Sequence, residues 1–260
     1  MVLPLFQIDA FTDHIFGGNP AGVCPLEQWL PDEIMQNIAM ENNLAETAFF
    51  VREDDHFHLR WFTPAVEVDL CGHATLGASW VIFNLLGHEG TEIRFQSRSG
   101  WLTVSRQDDL LTLDFPADTI VPAAAPAGLI EAIGVKPIEV LKGKTDWMIV
   151  VATQKEVENL TPDMGALMNI PCRGVIVTAR GDTVDFVSRF FGPQSGVPED
   201  PVTGSAHTSL TPYWAKILGK NRMFAVQLSK RQGHLENRLS GDRVFISGKA
   251  RLYLKGEIYI

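Results

Sequence analysis

The sequence predicts an α+β protein made of two similar domains, each a curved, mostly antiparallel sheet wrapped around a central buried helix. Two mainly apolar segments carry this prediction: GHATLGASWVIFNLLG begins at Gly72, and GSAHTSLTPYWAKILG begins at Gly204. A helix that is apolar on nearly every side is usually buried on every side. The motif RWFTP at 60–64 precedes the first segment, and the motif RFFGP at 189–193 precedes the second. Acidic residues lie between each motif and its segment. A strand–loop–helix unit repeated at half the chain length is typical of duplicated domains, although two unrelated α+β domains can share such a unit by chance.

The sequence of the first half predicts one sheet and two helices. Residues 31–42 carry apolar side chains at helical spacing, with Pro31 in the first turn, and Gly87 is the expected C-terminal cap of the helix that begins at Gly72. Strands are predicted from alternation and from turn residues between the runs. They are expected near residues 3–11, 47–52, 57–62, 91–97, 100–106 and 110–115.

The second half repeats the pattern after a segment rich in Pro and Ala at 116–128, which is the predicted linker. A hairpin turn is expected at Arg180–Asp182, and Pro212 is expected to kink the second apolar helix. The other predicted elements are a helix near 128–134, strands near 138–142, 146–152, 174–179 and 183–191, a helix or loop at 154–168, and strands from the second helix to Ile260. The predicted domains are 1–115 and 122–245.

Charge and composition exclude several classes of partner. The chain has 22 Lys and Arg against 31 Asp and Glu, a net charge of −9, and no basic run, which argues against nucleic acid or an anionic membrane. No apolar run is long enough for a transmembrane helix, and the N-terminus lacks a basic leader. The 3 cysteines show neither CxxC nor zinc-site spacing, so we expect free thiols, a cytoplasmic location and no metal.

The two helix starts are candidate anion-binding sites. Unpaired backbone N–H groups and a positive partial charge mark the start of a helix, and glycine lets a ligand approach them closely. If both starts face one interdomain cleft, the amides near Gly72, Ala74 and Gly204 can hold a small carboxylate without an arginine. For either helix alone, simple capping is the preferred interpretation of the glycine, and only the occurrence of both favours a role in binding.

Four side chains near these starts are candidates for chemistry or binding. His73 lies in the first turn of its helix, where the dipole favours a neutral ring that donates or accepts a proton near neutral pH. Ser205 occupies the matching place in the second helix, and Asp200 precedes it, where either residue can be a cap instead. Glu46 enters an apolar strand, so it is either a surface residue or an active-site acid whose pKa partial burial would raise.

At these residues the chain resembles the PhzF family of phenazine biosynthesis-like proteins. The resemblance runs nearly end to end and rests on five motifs. They are FGGNPAGV at 16–23, NNLAETAFF at 42–50, LRWFTPAVEVDLCGHATLGA at 59–78, EDPVTGSAH at 199–207 and ISGKA at 246–250. The family is similar to diaminopimelate epimerase in fold, with two domains around a cleft. The resemblance implies that 246–260 returns to the first domain.

The resemblance implies a cofactor-independent isomerase with acid/base catalysis, a small anionic substrate that is either cyclic or open-chain, and a homodimer. In the phenazine enzyme the glutamate of the ETAF motif moves a proton between carbons of dihydro-3-hydroxyanthranilate, and that position is Glu46 here. The family's histidine in the GH motif corresponds to His73. Its aspartate in the ED motif and its serine in the TGS motif correspond to Asp200 and Ser205.

Three questions stay open at the level of the sequence: the substrate, the oligomeric state and the role of Cys71. Related epimerases and racemases carry a cysteine at each helix start. Cys71 occupies the first place, but Thr203 occupies the second and cannot act as a thiol base, so a two-thiol racemase is disfavoured. A non-catalytic protein that binds a small anion or regulates through it, on the same fold, is the other alternative.

Overall fold

The structure, a computed structural model, describes all 260 residues of the chain. It is an α+β protein, as the sequence predicts. The chain divides into two compact units. Unit 1 contains Met1–Phe115 and Ile246–Ile260, and unit 2 contains Pro116–Phe245. None of the helices combines the length and apolar character that crossing a bilayer demands.

Strands outnumber helices in both units. The helices are α1 (Asp32–Asn42), α2 (Gly72–Leu85), α3 (Leu129–Ile133), α4 (Gln154–Glu158), α5 (Met164–Leu167) and α6 (Gly204–Leu218). The strands up to residue 116 are β1 (Val2–Ala10), β2 (Asn19–Leu26), β3 (Glu46–Glu53), β4 (His56–Phe62), β5 (Glu67–Val68), β6 (Glu92–Ser97), β7 (Gly100–Gln107) and β8 (Leu110–Pro116). The later strands are β9 (Val121–Pro122), β10 (Glu139–Lys142), β11 (Asp146–Val150), β12 (Gly174–Arg180), β13 (Phe186–Gly192), β14 (Val197–Asp200), β15 (Arg222–Gln227), β16 (Gly233–Ser240), β17 (Arg243–Gly248) and β18 (Ala250–Tyr259).

Unit 1 is a mixed sheet with one helix on each face. Antiparallel pairs join β1 to β18 and β2, β3 to β4, and β6 to β7, while β2–β3 and β4–β6 are parallel. Helix α2 packs on β1 and β2: a Cβ at Gly77 would meet the Cβ atoms of Ile8 and Ala21 at 3.4 and 3.6 Å, which is ordinary van der Waals contact. Helix α1 covers the other face through Met35 and Ile38.

Unit 2 repeats this strand order. Antiparallel pairs join β10 to β11, β12 to β13, and β15 to β16, while β11–β12 and β13–β15 are parallel. Helix α6 packs on one face with Leu210 and Trp214, and the short helices α3, α4 and α5 cover the other with Leu129, Val157 and Leu167. The two units therefore share one architecture, a sheet with a long buried helix on one face.

The repeat extends to individual side chains. In β4, Arg60 binds the carboxylate of Glu67 through Nε and Nη2, both at 2.7 Å, and its guanidinium lies 5.2 Å from the ring centroid of Phe62. In β13, Arg189 binds Glu199 at 2.7 and 3.0 Å and lies 5.0 Å from the ring of Phe191. Equivalent ion pairs at equivalent strand positions are the structural counterpart of the RWF and RFF motifs.

Several local features differ from the sequence-based expectations. Strand β2 was not predicted, because the prolines in NPAGVCPL argue against a strand. Strand β13 begins at Phe186 rather than near 183, and a wider loop replaces the predicted tight hairpin. The reason is that Asp185 joins the neighbouring strand instead, with its N–H donating to Phe224 O and its carboxylate accepting from Phe224 N. Helix α6 continues through Pro212, and Gly87 follows α2 with φ +69°.

Candidate functional site

In unit 1 the structure brings Glu46 and His73 together. Glu46 is the first residue of β3, and His73 is the second residue of α2. The Oε2 atom of Glu46 lies 3.2 Å from Nε2 of His73. The side chain of Glu46 is 16% exposed and that of His73 is 5% exposed. The pair is therefore close enough for proton transfer, and its carboxylate retains access to a small ligand.

The other ring nitrogen of His73 faces Asn19 and Cys71. The Nδ2 atom of Asn19 lies 3.1 Å from His73 Nδ1, and the Cys71 Sγ atom lies 3.5 Å from it. An amide nitrogen can only donate, so His73 Nδ1 accepts, and the proton of the neutral ring lies on Nε2, which faces Glu46. Asn19 is fully buried at the first position of β2. It thus selects the tautomer without being accessible itself.

Burial keeps His73 neutral. Removing the ring from water lowers the pKa of His73 from 6.5 to about 3. A neighbouring carboxylate favours the charged ring, but here the loss of hydration outweighs that attraction. An imidazole of this kind exchanges or donates a hydrogen-bonding proton at neutral pH without becoming an imidazolium ion.

Local backbone features hold these side chains in place. Gly18 adopts φ +60°, and a Cβ at this position would lie 2.0 Å from the carbonyl oxygen of Ala10, so the turn into β2 requires glycine. At the start of α2, the Thr75 hydroxyl and the Thr75 N–H both donate to Cys71 O, at 2.5 and 3.1 Å. These contacts fix the first turn, which carries Gly72, His73 and Ala74, all of which are buried.

Three possible metal ligands lie close together at this site. One ligand atom each of Glu46, Cys71 and His73 lies within 4.8 Å of the other two. The Glu46 carboxylate lies near His73 Nε2, and the Cys71 thiol lies near His73 Nδ1. A metal ion binds a ring nitrogen along its lone pair, and no single ring nitrogen of His73 lies beside both of the other donors. The arrangement fits a proton-transfer pair better.

In unit 2 the structure connects Asp200 to the start of α6. Asp200 ends β14, and its Oδ2 accepts a hydrogen bond from the Thr203 hydroxyl at 2.6 Å. Gln227, fully buried, donates to Asp200 O at 2.7 Å and accepts from Thr203 N at 2.9 Å. Thr203 is the N-cap residue of α6, but its side chain makes no capping bond because its hydroxyl is used by Asp200. Asp200 is therefore held in a fixed orientation.

The first turn of α6 contains the remaining predicted residues. Gly204 is buried and Ser205 is half-buried, at the positions that match Gly72 and His73 in α2. His207 follows, fully buried, with its Nδ1–H donating to Thr203 O at 3.0 Å. Burial lowers the pKa of His207 to about 4. Both helix starts therefore present unpaired first-turn amides close to a buried neutral histidine.

Three residues of these clusters were not singled out as site residues from the sequence. Asn19 lies in FGGNPAGV and Thr203 in EDPVTGSAH, so the motifs that carry the resemblance contain them, but nothing local distinguishes their side chains. Gln227 lies in no motif. It acts across the sheet from β15, a contact that only the folded chain reveals.

Comparisons with known proteins agree with this architecture. The family model described as phenazine biosynthesis-like protein, PhzC-PhzF, matches residues 8–256. An uncharacterized isomerase from Pseudomonas aeruginosa is 55% identical over 260 residues and is covered completely, as is this chain. The crystal structure of a PhzF family protein from Enterococcus faecalis has a TM-score of 0.97 at 45% identity, with both chains covered completely.

A more distant structure shares the fold alone. A hydroxyproline epimerase from Agrobacterium vitis has a TM-score of 0.62 at 9% identity, and the match covers 99% of this chain and 92% of the epimerase. The name of the Pseudomonas aeruginosa relative supports isomerisation as the activity at the level of the family. With a full-length family match and close relatives that align from end to end, the chain belongs to the phenazine biosynthesis-like PhzC-PhzF family.

Proposed function

We propose that this chain is an isomerase that moves a proton on a small carboxylate substrate by acid/base catalysis, without a cofactor. The observation that carries the proposal is the 3.2 Å contact between Glu46 and His73 in a site of low exposure. A carboxylate with limited hydration is a stronger base towards carbon than one in bulk water. Glu46 is the residue of this pair that keeps some exposure, so it is the one assigned to the substrate.

The proposed reaction is a proton shift in which no electrons are gained or lost overall. The Glu46 carboxylate removes a proton from one carbon, and the electron pair of that C–H bond moves into the adjacent conjugated system of the substrate. The resulting carboxylic acid then returns the proton to a different carbon. A single residue that acts first as base and then as acid is restored at the end of each turnover.

His73 supports both steps from behind Glu46. Its Nε2 atom, which carries the ring proton, lies 3.2 Å from the ionised carboxylate and stabilises it before the reaction by its partial positive charge, without a hydrogen bond. While Glu46 carries the proton, the ring remains neutral because its pKa is about 3. An ionised histidine would instead stabilise the Glu46 anion too strongly and weaken it as a base. The neutral ring thus leaves Glu46 basic enough to take the substrate proton, and it adds no proton of its own to the site.

Substrate binding is assigned to the two helix starts. The first-turn amides of Gly72 and Ala74 in α2, and those of Gly204 and Ser205 in α6, are groups suited to a carboxylate. Asp200, oriented by Thr203, is suited to an amine or hydroxyl group on the same substrate. Each helix start therefore offers backbone donors for a small anion within its own unit.

A two-base racemase is disfavoured by one contact. Cys71 and Thr203 are the N-cap residues of α2 and α6, so they are equivalent positions. The Thr203 hydroxyl donates a hydrogen bond to the Asp200 carboxylate. The second helix start therefore has no side chain at this position that could act as the second base. The remaining rival is a protein that binds a small anion without chemistry, and it predicts binding with no exchange of substrate protons.

A deuterium-uptake screen tests the proposal. Small amino and hydroxy acids, including cyclic ones, are incubated with the protein in deuterated water, and incorporation at carbon is followed by NMR or mass spectrometry. Glu46→Gln should abolish incorporation while the substrate still binds. Glu53→Gln, at the far end of the same strand, where the residue is half-buried, is the matched control and should leave exchange intact. Exchange that persists in Glu46→Gln would remove Glu46 from the mechanism.

A further inference from the structure

Unit 1 contains a cavity of about 370 Å³ at the end of α2 that is opposite to His73. Residues of β2, β3 and β4 line it, together with residues of α2 and of the turn that follows this helix. At 1.5 Å per residue, Leu86 lies about 20 Å from His73 along the helix axis. The cavity is therefore separate from the Glu46–His73 contact, and its volume is typical of a site for a small molecule.

The floor of the cavity is apolar. Leu26, Phe50, Phe57 and Ile82 line it, and all four side chains are buried. Leu86 also lines the cavity and is 45% exposed, so part of this apolar surface is in contact with water. A ligand with a branched aliphatic side chain would remove that surface from water, which is favourable.

Two opposite charges border this floor without an ionic partner. Arg52 in β3 and Glu89 after α2 both line the cavity, and both are exposed. Neither side chain forms a hydrogen bond or an ion pair with another residue, and the two do not pair with each other. Arg60, Arg94 and Arg98 of the same unit, in contrast, all contact carboxylates. The cavity therefore offers a guanidinium group to a carboxylate and a carboxylate to an ammonium group.

The end of α2 adds to the negative character on the Glu89 side. The last carbonyl groups of a helix carry a partial negative charge that favours a cation. His88 Nε2 lies 2.9 Å from Glu92 O, which can only accept, so the proton of the neutral ring lies on Nε2 and Nδ1 is an acceptor. The ring is held by edge contacts with Phe83 and Phe57, at centroid distances of 5.5 and 6.4 Å. These features suit a ligand group that carries a positive charge and donates hydrogen bonds.

We propose that this cavity binds a free α-amino acid with an apolar side chain. Arg52 binds the α-carboxylate, Glu89 and His88 bind the α-ammonium group, and the apolar floor receives the side chain. A zwitterion satisfies both unpaired charges at once, whereas a simple acid leaves Glu89 without a partner and a simple amine leaves Arg52 without one. The proposal does not depend on the isomerisation assigned to Glu46.

Four ligands of matched shape test the chemistry of the site. L-leucine carries both charges and a branched side chain, 4-methylpentanoate lacks the ammonium group, and 3-methylbutylamine lacks the carboxylate. L-asparagine keeps both charges but replaces the apolar branch with an amide of similar shape. Isothermal titration calorimetry should show saturable binding of L-leucine and binding of the other three that is at least about ten-fold weaker, because each lacks one of the three contacts.

The same titrations can overturn the proposal. L-leucine that shows no saturable binding at millimolar concentrations would rule out the site. Equal binding of L-leucine and either single-charge analogue would show that the corresponding charge is not recognised. Equal binding of L-leucine and L-asparagine would show that the apolar floor does not contact the ligand.

Two single variants assign the charges, and both change exposed side chains. Arg52→Gln should weaken L-leucine binding at least about ten-fold but leave 3-methylbutylamine binding unchanged, since this ligand has no carboxylate. Glu89→Gln should weaken L-leucine binding to a similar extent but leave 4-methylpentanoate binding unchanged. Arg180→Gln, an exposed change in unit 2, is the control. Normal L-leucine binding in either cavity variant would contradict the assignment.

The position of the ligand can be measured directly. In ¹⁵N NMR spectra, L-leucine should shift the amide signals of residues 87–89, and Leu86→Trp, which places a larger side chain in the cavity, should abolish these shifts. Shifts confined to residues 72–74 would place the ligand at the start of α2 instead and would overturn the proposal.

Discussion

His73 lies between Glu46 and Asn19, with Nε2 at 3.2 Å from the glutamate Oε2 and Nδ1 at 3.1 Å from the asparagine Nδ2. The three residues come from β3, α2 and β2, which are far apart in sequence but adjacent in the fold. The amide fixes the ring proton on the nitrogen that lies beside the carboxylate. The chemistry assigned to Glu46 therefore depends on a residue that has no access to the substrate.

Asn19→Asp should reverse the tautomer of His73. A carboxylate accepts a proton where the amide donates one, so the ring proton would move to Nδ1, and Nε2 would face Glu46 with a lone pair. We expect the rate of proton exchange to fall by roughly 10²–10⁴-fold with little change in KM, since Asn19 does not reach the substrate. The ring ¹⁵N shifts of His73 report the tautomer without any substrate. Asn84→Asp, an exposed change on α2, is the control, and an unchanged tautomer in Asn19→Asp would contradict the assignment.

Two buried histidines should make the stability of the protein fall in mild acid. In the unfolded chain a histidine takes up a proton near pH 6.5, whereas the folded state resists protonation until about pH 4 at His207 and about pH 3 at His73. The unfolded state therefore binds more protons below pH 6.5, and the stability present above that pH is lost as the pH decreases. Each histidine should contribute a slope of about 1.4 kcal/mol per pH unit.

Urea titrations at several pH values measure these slopes. His73→Asn and His207→Asn should each remove one histidine's share of the slope between about pH 4 and 6.5, and the double variant should remove both. Asn is suitable at position 207 because its side-chain amide can replace the Nδ1–H that donates to Thr203 O. His14→Asn removes an exposed ring and serves as the control. A slope that does not change in either buried variant would show that these rings are charged in the folded protein.

Thr203→Val should remove the side-chain hydrogen bond that orients Asp200. The substitution keeps the shape of the side chain and removes the hydroxyl that donates to Asp200 Oδ2 at 2.6 Å. Because a hydrogen bond to a charged group contributes about 1.5–3 kcal/mol, the free energy of unfolding should decrease by about that amount. If Asp200 holds the substrate, KM should also rise. Thr203→Ser retains the hydroxyl and should restore both properties, and a Val variant with normal stability and KM would show that the contact has no role.

The two long helices were predictable because a helix that is buried on all sides has apolar residues on every face, and a single sequence is enough to show such a run. The start of α2 at Gly72 and the start of α6 at Gly204 both agree with the structure. The contact of Glu46 with His73 could be suspected only from the family motifs, since no periodicity relates a strand end to a helix start. Gln227 could not be found at all, because its role depends on the pairing of β13 with β15.

Arg189→Lys should destabilise the protein more than the equivalent change at Arg60. Arg189 binds both oxygens of Glu199 and also donates through Nη1 to Leu160 O at 2.9 Å, a fork that one ammonium group cannot reproduce. Arg60 binds Glu67 in the same way, but Glu67 also contacts Arg98 at 2.6 Å and would keep that partner.

We therefore expect a loss of about 1–3 kcal/mol for Arg189→Lys and a smaller loss for Arg60→Lys. Urea unfolding of the two variants provides the comparison. Arg60→Lys combined with Arg98→Ala removes the second partner of Glu67 and should bring the loss in unit 1 up to that in unit 2. Equal losses for the two single variants would mean that Arg98 does not support Glu67 in solution, and that the duplicated ion pairs are equivalent in energy as well as in geometry.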